Sequence, residues 1–399
     1  MQKDTILINK CDAKLSNIIF RKLYIPFIFI LILLPSAGRL VFHKFDATFF
    51  IVAGRQYVNP ARLPDPVTVI DGPGYDGQFY YKTALDLSIP SENGITYDNP
   101  VYRLQRIIYP LAAWLLAFGS AQSIPFALIA ANCLCLILIC LIFFRLCAAK
   151  GLPLFFSILP VMYAGLQMSA GRDLVEPLET LFVLGVLYFG SSNPLVFTAL
   201  ATLALLTKET TIVFILPVAV TMIFTFVKKK AKIWYYFLIS LPFGLLLAWR
   251  LFLETQAHSG LIVPGAFNFT YPLWGIVSGF QTYFNQATVK NFLGYGLPII
   301  SLLWLIWLIA LVFPHIKTAW GDKFKDRSAE IAWVAWLFFS LFFSSAIYGD
   351  DWSFLRLFSA FTCLSFFILY QNQAKPGKWF VLVSVVMFAI VTARLWLFV

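Results

Sequence analysis

The run Ile124-Pro-Phe-Ala-Leu-Ile-Ala-Ala-Asn-Cys-Leu-Cys-Leu-Ile-Leu-Ile-Cys-Leu-Ile-Phe-Phe144 decides the fold class. It holds no charged side chain, and its length matches the roughly 20 residues an α-helix needs to cross about 30 Å of hydrocarbon. In lipid such a segment must be helical, because no water satisfies its backbone N–H and C=O groups. Arg145 and Lys150 follow it directly, as basic residues do at a cytoplasmic boundary.

Composition extends this reading to the whole chain. Of 399 residues, 60% are hydrophobic, 18% aromatic and only 12% charged, which leaves too little polar side chain to cover a soluble surface. Membrane-length or near-length runs recur at 24–42, 124–144, 152–170, 178–189, 195–206, 211–227, 233–253, 296–313, 331–348, 354–370 and 379–398. The expected fold is all-α and polytopic, with about eleven transmembrane helices in a range of roughly nine to thirteen. The runs 178–189 and 195–206 are short and parted by Ser191-Ser-Asn-Pro194, so they read as a tilted pair or a re-entrant hairpin. The apolar run 107–118 is placed at the interface, since a crossing there would set the later basic loops opposite the basic N-terminal tail. The chain then forms one transmembrane domain over 1–399, with a cytoplasmic tail at 1–23 and no separate soluble domain. A long first extracytoplasmic loop with interfacial helices spans 43–123, and a second spans 254–295.

Basic residues orient the spans. Lys3, Lys10, Lys14, Arg21 and Lys22, then Arg145 and Lys150, Lys228 to Lys232, Lys317 to Arg327, and Lys375 with Lys378 all fall on one side, which is the cytoplasm. The net charge of +11 is mostly this orientation signal; no basic soluble domain with interleaved aromatics exists to bind nucleic acid. The run 24–42 is of full membrane length and reads as an anchor rather than a cleaved signal. Cys133, Cys135, Cys140, Cys147 and Cys363 sit in or at the end of apolar spans and Cys11 in the tail, so no extracytoplasmic disulfide is expected. His43, His258 and His315 are scattered without zinc spacing.

The same orientation gathers most of the polar chemistry on the opposite face. Asp71, Asp76, Asp173, Glu176, Lys208, Glu209, the loop from Glu254 to Tyr295, Asp350, Asp351 and Arg356 all land there, at helix ends. A transporter would place such groups near the bilayer midplane on broken helices, whereas this pattern suits an enzyme open to the outer leaflet.

Five stretches carry the candidate chemistry. In Gly72-Pro-Gly-Tyr-Asp-Gly-Gln-Phe-Tyr-Tyr-Lys82, three glycines leave Asp76 on a tight turn, where it is a candidate base with Tyr75, Gln78 and Tyr80 as substrate contacts. The alternative is an Asx turn leading into an amphipathic helix at the headgroups, anchored by Phe79, Tyr80 and Tyr81. In Tyr102-Arg-Leu-Gln-Arg-Ile-Ile-Tyr-Pro110, Arg103 and Arg106 are three apart, so on a helix both could grip one phosphate or else snorkel to headgroups. Gly171-Arg-Asp-Leu-Val-Glu-Pro177 offers Arg172, Asp173 and Glu176, with a capping box as the structural alternative. In Thr207-Lys-Glu-Thr210, Lys208 and Glu209 need separate partners, since sequence neighbours do not face each other on a helix; Lys208 is a candidate phosphate ligand. Asp351 could cap the helix of Asp350-Asp-Trp-Ser-Phe-Leu-Arg356, and Arg356, costly if it faced lipid, points inward at a partner.

These stretches together resemble the GT-C superfamily, membrane glycosyltransferases that use polyprenyl-phosphate sugars, and look closest to uncharacterised bacterial members and the mannosyltransferase branch. The resemblance covers nearly the whole chain in layout and is sequence-specific only in the stretches quoted. It implies that Asp76 is the first-loop catalytic acid, although Tyr75 stands where the family has tryptophan. It also implies a bacterial inner-membrane location with the N-terminus cytoplasmic and the site extracytoplasmic. The periplasmic soluble domain of many members is lacking, which leaves acceptor recognition to membrane loops.

The chemistry is consistent with that family. Attack of an acceptor hydroxyl on an anomeric carbon expels a lipid phosphate, so one general base suffices and the sugar inverts. Asp76 is expected as that base, Asp173 and Glu176 as supporting carboxylates, and Arg103, Arg106, Lys208 and Arg356 as stabilisers of the leaving phosphate. The expected partners are the lipid-linked donor, a lipid, glycan or protein acceptor, and membrane lipids. Carboxylates sharing one face leave room for a divalent cation, magnesium or manganese. The competing classes are a transporter or flippase of lipid-linked glycans, and an O-antigen-type polymerase or ligase.

Overall fold

A computed structural model describes residues 26–88, 93–191, 193–257, 268–286, 292–319 and 327–397. The tail 1–23 with its lysines and arginine, His258, and Lys323 with Lys325 lie outside the described residues.

Helices dominate. Pro26–Phe42 is α1; the segment to residue 123 holds α2 (Gly77–Leu85), α3 (Pro100–Leu104) and α4 (Ile108–Leu116). There follow α5 (Ile124–Ala149), α6 (Ala164–Ala170), α7 (Glu176–Gly185), α8 (Pro194–Thr207), α9 (Ile212–Lys228) and α10 (Ile233–Ala257). Then come α11 (Trp274–Gln286), α12 (Phe292–Ala319), α13 (Ser328–Ser340), α14 (Ser345–Tyr348), α15 (Asp351–Leu357), α16 (Ser359–Gln371) and α17 (Lys378–Leu397).

By length and composition, five of the described helices can cross a membrane: Ala121–Ala149, Glu209–Lys228, Ile233–Gln256, Gly296–Ile316 and Lys378–Leu397. Shorter apolar helices occupy Pro26–Phe42, Pro194–Thr207, Ser328–Ser340 and Ser359–Gln371.

Two expected spans are interrupted. The run 152–170 is a 3-10 turn at Leu154–Ile158, an irregular link and α6, because Pro153 and Pro160 cannot continue a helix. The bare backbone is tolerated because it is buried against protein: Tyr163 donates to the Leu355 carbonyl at 2.9 Å and Gln167 to that of Val161 at 2.6 Å. The run 331–348 breaks after α13, where residues 341–344 leave the helix to pair with 268–273 through Thr270 N–H to Phe342 O and Ser344 N–H to Asn268 O, both 2.7 Å. The run 354–370 is likewise split between α15 and α16. The short runs form α7, which continues as a π turn over Val186–Gly190, and α8, which packs against it.

The loop 43–123 is a folded unit on the start of α5 and α7. Two short parallel strands, β1 (Ala53–Gly54) and β2 (Val69–Ile70), pair Ala53 with Val69 and Gly54 with Ile70. Ile51, Val58, Tyr80, Tyr81, Tyr109 and Ala113 share one core with Ile124 and Leu128 of α5 and Val175 and Leu178 near α7. This corrects the interfacial reading of α2. Every residue from Gly77 to Ala84 is buried, Phe79, Tyr80 and Tyr81 included, so those rings anchor the loop to the helices beneath rather than to headgroups.

Candidate active site

The glycine turn seats Asp76. Gly74 has φ +66° and lies against Gly54, while a side chain at Gly77 would meet the carbonyls of Arg172 and Ile51. Gln78, expected to touch substrate, instead ties this turn together: its amide donates to Pro73 O at 2.8 Å and its oxygen accepts from Gly54 N–H at 3.0 Å. Asp76 stands just before α2 in helical conformation and makes no capping bond. The Asx-turn alternative is therefore not what forms.

Its carboxylate turns to two arginines from distant segments. Asp76 Oδ1 is 2.8 Å from Arg103 Nη1, and Oδ2 is 2.7 Å from Arg356 Nη1. Burial alone would raise its pKa, but Arg103, Arg356 and Arg106 outweigh burial and hold the carboxyl well below the usual carboxylate range. Asp76 is thus an ionised group whose two oxygens are both engaged.

Arg103 and Arg106 do not converge on one point. Arg103 forms a bidentate pair with Asp98, 2.8 and 2.6 Å, and lies over the Phe79 ring. Arg106 is bidentate to Glu209 at 3.0 and 2.6 Å and donates to the Tyr80 hydroxyl at 3.2 Å. α3 ends at Leu104, so the two guanidiniums diverge instead of forming a single clamp. Burial pushes the Tyr80 phenol up to about 12, which keeps it a neutral hydrogen-bonding group.

Lys208 and Glu209 do take separate partners. α8, capped by Asn193 and begun by Pro194, ends where Lys208 turns to extended backbone. Lys208 Nζ reaches Glu176 Oε1 at 3.1 Å and Glu179 Oε2 at 2.9 Å. Glu176 Oε1 also lies 3.9 Å from Arg356 Nη1.

Tyr75 and Arg172 form the flank. The Tyr75 hydroxyl meets Asp350 Oδ2 at 3.2 Å and Ser353 Oγ at 3.3 Å, and the guanidiniums of Arg172 and Arg356 lie 4.8 and 5.1 Å from its ring. Arg172 also stacks on Trp352 at 3.4 Å. Asp350, not Asp351, caps α15 through Trp352 and Ser353 N–H; Asp351 is its first helical residue. That cap fixes the phase of α15 and so places Arg356, one turn on, over Asp76.

Asp173 does not join this group. It is fully buried with φ +51°, and among the described residues neither oxygen has a hydrogen-bond partner and no ion pair forms. Burial pushes its carboxyl well above the usual value, with Arg39 opposing. The capping-box alternative fails too, because Val175 occupies the cap of α7 without a side-chain bond. Sequence reading passed over Asp98 and Glu179. The signal for Glu179 was its place one turn beyond Glu176, on the same face of α7.

A cavity of about 230 Å³ opens beside these groups. Its lining combines the polar and charged side chains of Arg106, Glu176, Lys208, Glu209, Ser353 and Arg356 with the apolar ones of Ile212, Phe269, Phe339, Phe343 and Leu357. Asp76 is paired with Arg356. Among the described residues no three His, Cys, Asp or Glu side chains gather to hold a metal. Asp76, Glu176 and Glu209 each face an arginine or lysine rather than one another, so the donor set does not fit a divalent cation.

No protein-family model, curated protein or solved structure matches the chain.

Proposed function

We propose that the chain is a polytopic membrane glycosyltransferase of the GT-C kind, with about eleven spans, which moves a sugar from a polyprenyl-phosphate donor to an acceptor hydroxyl on the extracytoplasmic face. The observation that carries this reading is the cavity's mixed lining: three cations and two carboxylates together with aromatic and aliphatic side chains, one of the cations being paired with Asp76. A phosphate with a hydrocarbon tail has that polarity. The N-terminus lies in the cytoplasm of a bacterial inner membrane.

Arg106, Lys208 and Arg356 receive the phosphate and stabilise the charge that grows on it as the anomeric bond breaks. Arg356 is shared between cavity and Asp76, so a phosphate that draws it forward frees Asp76 Oδ2 for the acceptor hydroxyl. Asp76 then takes the hydroxyl proton as the new glycosidic bond forms with inversion. Glu176 holds Lys208 in place.

Purified protein supplied with a monosaccharide on polyprenyl phosphate should release polyprenyl phosphate and form one glycosidic bond per turnover. Movement of intact donor across vesicles without bond formation would support a flippase instead, and joining of preassembled glycans a polymerase.

A further inference from the structure

The ion pairs beside the cavity share their cations unevenly. Glu176 and Glu179 both meet the one ammonium of Lys208, at 3.1 and 2.9 Å. A phosphate that draws Lys208 toward itself leaves buried carboxylate short of its counter-charge, a cost that a proton removes.

The geometry singles out where that proton goes. Asp76 has two arginines, Asp98 and Glu209 have one each in bidentate contact, and Glu176 has Lys208 with Arg356 nearby. Among the described residues Glu179 pairs with Lys208 alone, which it shares with Glu176, and it is 2% exposed. Glu176 Oε2 is itself buried without a hydrogen-bond partner, so one ammonium already serves the pair incompletely. The other charge acting across the space on Glu179 is Arg106. Among the helices packed on α7, α16 carries no charged residue and the one in α5, Arg145, is exposed near that helix's far end.

Lys208 lines the cavity; Glu179 stands behind it. We propose that Glu179 takes up a proton from solvent when a phosphate enters the cavity, exchanging its share of Lys208 for that proton. The Lys208 N–H bonds pass from Glu179 to the phosphate oxygens, Glu179 becomes a neutral acid, and the site's net charge rises by one. The inference rests on the cavity being a lipid-phosphate site, and it makes Glu179 a positioning residue that couples donor binding to pH.

The test is titration calorimetry of farnesyl phosphate into the full-length, detergent-solubilised protein, in buffers of different ionisation heat. The native protein should take up about one proton per phosphate near neutral pH, and affinity should weaken toward about tenfold per pH unit as pH rises. Because the phosphate monoester itself titrates near about pH 6, the reading is the difference from native protein: Glu179→Gln should take up about one proton fewer per phosphate and show a correspondingly flatter pH dependence, while Glu179→Asp should restore the uptake. Binding by the native protein without uptake, or undiminished uptake in Glu179→Gln, overturns the proposal and leaves the phosphate site standing. Failure of farnesyl phosphate to bind at all overturns both.

Discussion

Asp76 and Arg356 meet at 2.7 Å although they belong to opposite ends of the chain, and Arg356 also lines the cavity. This one guanidinium connects the glycine-turn carboxylate to the space where a ligand would sit. Together with Arg103 on the other oxygen, this contact holds Asp76 acidic against its burial.

Replacing Asp76 by Asn keeps one oxygen to accept from an arginine but turns an NH2 toward the other, so stability should drop, while transfer should fall by at least about 100-fold as expected for a lost base. Turnover and thermal unfolding measured on the same preparation separate the two effects.

Arg356→Met removes a cation shared by Asp76 and Glu176 and leaves Asp76 to Arg103 and Glu176 to the Lys208 it already shares. Unfolding stability should fall by about 3 kcal/mol, the scale for one partner lost from a buried pair. Arg356→Lys should recover part of that stability in a denaturation series but not the shared contact.

The acidity of Asp76 has a definite sign in stability. Its folded pKa lies below the unfolded value, so its contribution is fully present above about pH 4 and is lost as pH falls through the lowered folded value. The difference in melting temperature between native protein and Asp76→Asn should therefore stay flat from neutral pH down to about 4 and narrow only below it. A difference that already closes between about pH 6 and 5 would mean that the arginines do not hold the carboxylate.

Gly77→Ala places a methyl against the Arg172 and Ile51 carbonyls, which are backbone and cannot swing away. The turn must shift and carry Asp76 off its arginines. Loss of more than about 1 kcal/mol in stability together with most of the transfer activity is expected, whereas Gly72→Ala meets no neighbour and is strained only by its φ of +97°.

The helical class and most apolar helices were legible because burial in lipid demands long unbroken apolar runs. Where protein rather than lipid surrounds the backbone, that demand lapses. Hence 152–170, wrapped by α5, α7 and α15 and interrupted at Pro153 and Pro160, reads as a span yet folds as a turn and a short helix. α2 was misplaced for a related reason: its aromatics suit headgroups and a buried core equally, and only tertiary packing decides. In the site, Asp76, Arg103, Arg106, Glu176, Lys208, Glu209 and Arg356 were legible as candidates, with snorkelling left open for the two arginines and capping for Glu176, but their pairing was not. Asp173 looked equivalent to Glu176 in sequence; its positive φ has no local signature.

Mass analysis of envelope glycans from a strain lacking this chain, complemented by the native protein or by Asp76→Asn, tests the central claim most directly. The account predicts glycans short of a sugar in the deletion strain, restored by the native protein and not by Asp76→Asn. Unaltered glycans in the deletion strain, or full restoration by the Asn variant, would contradict it.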